Sequence, residues 1–186
     1  DWVERVEKYL KQKVQPEFYL ELKLDGIAGE LVYENGVLIQ CSTRGDGKVG
    51  EDVTQNLKTI EAVPLKLESV GSKFPPKADA PRAQKVPRQL IVRGEVFLTT
   101  KEFNRINQNL EKKGMKTYAN PRNLTAGSVR QLDSKITADR KLDFFAYEIV
   151  TDVGQKRHSD EHRILQKFGF KTNPHNRLVE SLAGVV

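Results

Sequence analysis

The chain has 186 residues, 38% of them hydrophobic and 30% charged, with a formal net charge of +6 and a pI near 9.3. That suits one ordinary folded domain with a real core, and the positive excess favours a polyanionic partner. A single cysteine, Cys41, excludes an internal disulfide, and with three scattered histidines it leaves no recognisable zinc site. No apolar run approaches the ~20 residues of a membrane span and no signal segment is visible, so the expected setting is soluble, reducing and cytoplasmic, with no membrane partner.

Val3, Val6, Leu10 and Val14 recur at helical spacing and predict an opening helix over 1–15. Strands are expected at 18–24, 27–33 and 37–43, the last two joined by the Asn35-Gly36 hairpin signal, giving an antiparallel meander that ends at Arg44. On the first of these strands Leu20, Leu22 and Leu24 would enter a core, while Glu21, Lys23 and Asp25 share the opposite face. Gly26 removes the side chain beside that row, which would let a ligand backbone or phosphate approach. Cys41 reads as a packing residue of the third strand.

A short helix is expected at 51–60, and the Pro- and Lys-rich stretch 66–88 reads as an exposed, solvated loop. A strand at 89–98 follows, then a helix near 101–113 stopped by Gly114. A second helix is opened by Asn120 as cap with Pro121 at its first position. A strand at 142–150 and a helix near 160–168 before Gly169 come next. Leu178, Leu182, Val185 and Val186 predict the start of an amphipathic helix over 178–186. With strands outnumbering crossover units, the fold class is α+β with antiparallel sheets and flanking helices.

Glu21-x-Lys23-Leu24-Asp25-Gly26 resembles the active-site motif of covalent nucleotidyltransferases, the superfamily of DNA ligases, RNA ligases and capping enzymes. Further blocks follow in order: Thr43-Arg44-Gly45-Asp46-Gly47, Gly50-Glu51-Asp52-Val53-Thr54-Gln55-Asn56, Val92-Arg93-Gly94-Glu95-Val96-Phe97, Ala119-Asn120-Pro121-Arg122-Asn123, Ala126 to Asp133, and Phe144-Phe145-Ala146-Tyr147. Together they resemble the adenylation domain of bacterial NAD-dependent DNA ligases over nearly the whole chain. The resemblance implies a nucleotidyltransferase fold, a bacterial cytoplasmic setting and a part in DNA replication and repair. It also implies that 1–186 is one partial adenylation domain, cut at both ends. The small domain gripping the nicotinamide mononucleotide half of NAD would precede it, and two lysine motifs and the remaining domains of the same polypeptide would follow.

The same resemblance assigns roles. Lys23 is the nucleophile that accepts AMP from NAD, releasing nicotinamide mononucleotide, for transfer to the 5′-phosphate of nicked double-stranded DNA. An amine attacking phosphorus must first lose its proton, which partial desolvation or a cation such as Mg²⁺ or Arg44 would favour. Glu21, Asp25, Arg44, Glu95 and Tyr147 are the expected nucleotide-binding residues: Glu21 toward adenine, Arg44 and Glu95 toward the ribose, Tyr147 stacking on the base. Arg122 and Arg130, which project within about 80° of one another on an ideal helix, are the expected DNA-phosphate contacts. No side chain is assigned as a metal ligand, and His158, His162 and His175 show no partner spacing. With the later lysines absent, the isolated chain is expected to self-adenylate weakly. The alternatives are an ATP-dependent ligase or capping-type enzyme, which would share the lysine motif, and a non-catalytic nucleic-acid- or partner-binding fragment.

Overall fold

The computed structural model describes residues 2–15, 17–67 and 86–185. They fall into two compact units, Asp1–Leu22 with Pro174–Val186, and Lys23–Asn173.

The first unit holds helix α1 (Trp2–Leu10), strand β1 (Phe18–Leu20) and strand β6 (Arg177–Val179). α1 is shorter than the 1–15 expected. Lys11 adopts φ 55°, which ends the helix, and the chain turns back so that Glu7 accepts from Lys13 Nζ at 2.8 Å and from the Val14 amide at 3.2 Å. β1 pairs antiparallel with β6, Phe18 opposite Val179 and Leu20 opposite Arg177. The expected C-terminal helix is therefore a strand followed by a single 3₁₀ turn at Leu182–Gly184. Pairing with β1 supplies partners for backbone groups that a helix would have satisfied internally.

The second unit is built on a four-stranded antiparallel sheet of β2 (Ile27–Glu34), β3 (Val37–Thr43), β4 (Gln89–Phe97) and β5 (Asp143–Ile149), in the order β3-β2-β4-β5. Asn35 at φ 48° and Gly36 at φ 80° close the β2–β3 hairpin as the Asn-Gly pair requires. The meander differs from expectation at its start, because β1 is paired to β6 and not to β2.

Helices α2 (Thr54–Leu57), α3 (Thr100–Lys112), α4 (Pro121–Val129), α5 (Ser134–Asp139) and α6 (His158–Lys167) complete the unit. Their ends follow local chemistry. Thr99 caps α3 by accepting from the Glu102 amide, Asn120 caps α4 by accepting from the Asn123 amide at 2.8 Å with Pro121 at the first turn, and Gly114 and Gly169 take positive φ just past α3 and α6. Residues 68–85 of the expected loop lie outside the described residues. At its near edge Lys66 bridges Val37, and the buried Leu67 donates to the Gly36 carbonyl at 2.7 Å, so the chain there is bound to the hairpin.

Strand alternation divides the sheet into two faces. Leu31 and Tyr33 of β2, Leu90, Val92 and Val96 of β4, and Phe144, Ala146 and Ile149 of β5 are buried, and they belong to one core with Leu57, Leu124, Val129, Leu165 and Phe168. The Tyr33 hydroxyl donates to the Pro64 carbonyl at 2.8 Å, and burial pushes this phenol well above its ordinary range. Cys41 is fully buried in this core, its thiol pushed up to about 12 by burial. It is a packing residue, as its position on β3 predicts. The opposite face of the sheet is left to carry polar side chains.

Candidate active site

A cleft of about 530 Å³ lies over that polar face, lined by residues of β2, β3, β4 and β5 together with the turn after β3. Arg93 is among its lining residues. Its Nε donates to Glu30 Oε2 at 2.8 Å across β2 and its Nη1 to Glu148 Oε2 at 3.4 Å across β5, because the register sets Arg93 opposite both. A shift in the β4–β5 register between Arg93 and Gly94 makes Tyr147 the extra residue of β5. Such a bulge interrupts the alternation, so Tyr147 and Glu148, neighbours in sequence, both line the cleft. Burial raises the Tyr147 phenol pKa, with Glu95 and Glu148 adding to the shift and Arg93 and Arg44 opposing it. Sequence reading nominated Tyr147 but missed Glu30, Arg93 and Glu148 as a set. Only the cross-strand register joins them, Arg93 standing opposite Glu30 on one side and Glu148 on the other.

Arg44 enters the same cleft from the turn following β3. Asp46 does not pair with it. Instead Asp46 Oδ1 accepts the amides of Lys48 and Val49 at 2.8 Å each, folding the turn on itself and holding the Asp46 carboxyl below its usual range. Gly45, at φ 54°, packs so closely that a β-carbon would fall 1.8 Å from the Val49 carbonyl oxygen. The two glycines and the aspartate thus make a rigid turn, and among the described residues Arg44 forms no ion pair. Its guanidinium is left facing the cleft.

Around Lys23 the structure departs from the strand expectation. β1 ends at Leu20, where its pairing with β6 ends, and residues 21–25 have no regular structure. Glu21, Lys23 and Asp25 are therefore not a row on one strand face, and Leu22 is 58% exposed where a core position was expected. Without a ladder partner the period-2 geometry has nothing to hold it. Glu21 belongs to the first unit, where it accepts from Asn176 Nδ2 at 3.1 Å.

Lys23 and Asp25 open the second unit, and Gly26 fixes them to β4. Its amide donates to Glu95 Oε1 at 3.1 Å, and a β-carbon on Gly26 would lie 2.1 Å from the Val96 carbonyl oxygen. The space that Gly26 frees is thus taken by the β4 backbone and not by a ligand. Gly94 is similar, since a β-carbon there would lie 2.2 Å from the Phe144 ring. Glu95 is half-buried. Burial raises its pKa first, while the Gly26 amide and the positive charges of Arg122 and Lys23 lower it and Asp25 raises it. Lys23 and Arg122 thus favour the charged form of this carboxylate and Asp25 opposes it. Glu95 in turn adds to the upward shift of Tyr147, which lines the cleft.

Arg122 lies in the first turn of α4 and pairs with Asp25, Nη1 to Oδ1 at 3.5 Å. Arg130 is the residue at the C-terminal end of α4, and its Nε pairs with Glu51 Oε2 at 2.6 Å. The helix they bracket is anchored by a buried network: Asn56 Nδ2 donates to the Gln131 carbonyl and to Thr137 Oγ1, both at 2.8 Å, and Thr137 Oγ1 donates to the Ser128 carbonyl at 2.8 Å. Asp52 accepts from the Thr54 amide at 2.9 Å, and Thr54 Oγ1 in turn accepts from the Cys41 amide at 2.8 Å. The Gly50–Asn56 block is thus a brace between β3 and α4. Buried and satisfied, such bonds position a helix more rigidly than exposed pairs do.

An antiparallel sheet with flanking helices, one face packed into a core and the other carrying a polar cleft, is a mixed α+β architecture, the class to which nucleotidyltransferase adenylation domains belong. The model of the NAD-dependent DNA ligase adenylation domain matches residues 1–186. The chain belongs to that family. It is 47% identical over 171 residues to a DNA ligase of Acetivibrio thermocellus, covering 91% of this chain and 23% of that protein. Against a DNA ligase of Limosilactobacillus reuteri it is 40% identical over 183 residues, covering 97% and 24%. Against one of Natranaerobius thermophilus it is 40% identical over 188 residues, covering 100% and 26%. The chain thus spans about a quarter of the length of these curated relatives. No helix among the described residues is long and apolar enough to cross a membrane.

Proposed function

We propose that this chain is the adenylation portion of an NAD-dependent DNA ligase, in which Lys23 Nζ attacks the adenylyl phosphorus of NAD. A P–N bond forms, the bond to nicotinamide mononucleotide breaks, and the AMP held on Lys23 is passed to the 5′-phosphate of a nick. The observation that supports this most is that the Gly26 amide ties the lysine segment to Glu95 at 3.1 Å and Asp25 pairs with Arg122 at 3.5 Å, in the same unit as a cleft lined by Arg44 and Tyr147.

The cleft's volume lies in the range of cofactor sites, and its chemistry fits an adenylate: an aromatic ring for the base, a guanidinium for ribose or phosphate oxygens, and carboxylates for hydroxyls. Tyr147 is assigned to the base, Arg44 and Glu95 to the ribose, and Glu21 to the adenine. Asp25 carries the oxygen-donor chemistry that Mg²⁺ would take together with substrate phosphates, and the ion would there offset charge developing on the phosphoryl group. Arg122 and Arg130 are assigned to DNA phosphates. Their present partners, Asp25 and Glu51, are exposed, and exposed pairs contribute only about 0–1 kcal/mol, so a phosphate can replace them.

The test uses a full-length ligase carrying this segment, incubated with labelled NAD or labelled ATP. A lysine adduct from NAD alone is expected, and Lys23→Ala should abolish it while sealing of a pre-adenylated nick remains measurable. An adduct from ATP alone, or an adduct retained in Lys23→Ala, refutes the assignment. Equal loss of every step would remove Lys23 from its covalent role.

A further inference from the structure

We propose that His158 and His162 of α6 form a chelating site for a borderline transition-metal ion, with Zn²⁺ the fitting representative. The sequence expectation of no partner spacing for these histidines is corrected by the structure. They lie four residues apart, one helical turn, and their rings meet edge-on at 84° with centroids 4.9 Å apart.

The Nε2 atoms are 3.4 Å apart. An ion bound to both at about 2.0–2.1 Å with a tetrahedral angle requires roughly that separation, whereas a well-formed N–H hydrogen bond is shorter, at about 3.0 Å. The two donors are therefore already set for chelation, and two histidines at this helical spacing are a known way of presenting imidazoles to zinc.

A second observation concerns Glu161. Its Oε2 lies 3.4 Å from His158 Nδ1, and the same oxygen is held by the Ile149 amide at 3.3 Å. A carboxylate facing Nδ1 favours the tautomer with its proton there and its lone pair on Nε2, which is the usual outer partner of a metal-bound imidazole. His162 is 3% exposed and its ring is fixed by burial, while the His158 side chain is 40% exposed and gives an ion access from solvent. Water or a small anion would complete the coordination. Neither histidine lines the cleft or enters the chemistry proposed for Lys23.

The experiment is calorimetric titration of the metal-free 186-residue chain with Zn²⁺ in a non-chelating buffer, joined to absorption spectroscopy at the zinc edge. One equivalent is expected to bind, with two imidazoles around the ion. His158→Gln, at the exposed position, should weaken binding about tenfold or more, and Glu161→Gln should weaken it about 10–100-fold by freeing the ring's tautomer. Circular dichroism and Tm without metal should stay unchanged in both variants, which separates loss of a ligand from loss of the fold. No stoichiometric uptake by the unaltered chain would mean a hydrogen-bonded imidazole pair only. Unweakened binding in folded His158→Gln, or fewer than two imidazoles at the edge, would equally overturn the site.

Discussion

Gly26→Ala tests how the lysine segment is held. A β-carbon at this position would lie 2.1 Å from the Val96 carbonyl oxygen and 3.0 Å from both Glu95 Cγ and Phe97 Cβ. The nearest obstacle is backbone in the middle of a sheet, which cannot rotate away as a side chain could. Relief must come from the Lys23–Gly26 segment moving outward by about 1.3 Å to reach an ordinary 3.4 Å contact, which also stretches the 3.1 Å bond from the Gly26 amide to Glu95.

Overpacking of this kind costs about 1–3 kcal/mol, and a misplacement near 1 Å at a reacting group lowers rate about 10²-fold. Gly26→Ala in a full-length ligase should therefore lower urea stability by that amount and slow Lys23 adenylation from labelled NAD about a hundredfold, with Gly26→Ser close to it, since the first added atom causes the clash. Full stability with unaltered adenylation in Gly26→Ala would refute the argument that β4 fixes the lysine.

Glu95 gives a pH prediction. Its folded pKa is raised above the ordinary value of 4.5, chiefly by burial, so the folded state binds more protons in the window just above that value. Stability must then fall as pH climbs through the raised pKa, and Glu95→Gln should remove that fall, so the variant gains on the parent with rising pH in parallel urea titrations; the opposite trend would contradict the burial argument. The arginines divide into two classes. Arg122→Ala and Arg130→Ala should spare adenylation, impair the DNA-dependent steps and flatten the salt dependence of nicked-DNA binding by a slope of about one unit each. Arg44→Ala should damage adenylation and leave that slope nearly unchanged. Arg122→Ala that stops adenylation with normal folding would move this residue to the nucleotide group.

What the sequence determined by itself was local. Asn35-Gly36 closes its hairpin, Asn120-Pro121 opens α4, and Gly114 and Gly169 end α3 and α6, because turn and cap geometry depends on residues within a few positions of each other. Alternation along β4 likewise puts Arg93 and Glu95 on one shared face, which the structure turns away from the core. The family blocks nominate Lys23, Arg44 and Tyr147 by motif resemblance, and their roles are those proposed above.

Tertiary structure decided how these pieces meet. The period-2 pattern at 18–24 could not show that β1 would find its partner at 177–179 and stop at Leu20, nor that Gly26 would lie against a strand 69 residues away. The Arg93 bridge to Glu30 and Glu148 depends on the registers of two strand pairs, and the shared exposure of Tyr147 and Glu148 depends on a bulge. Register and bulges are fixed by cores and backbone hydrogen bonds joining distant segments, so no short stretch contains them. The meeting of His158 with His162, one turn apart, was within local reach, but Glu161's grip on the Ile149 amide came only with the packing of α6 beside β5.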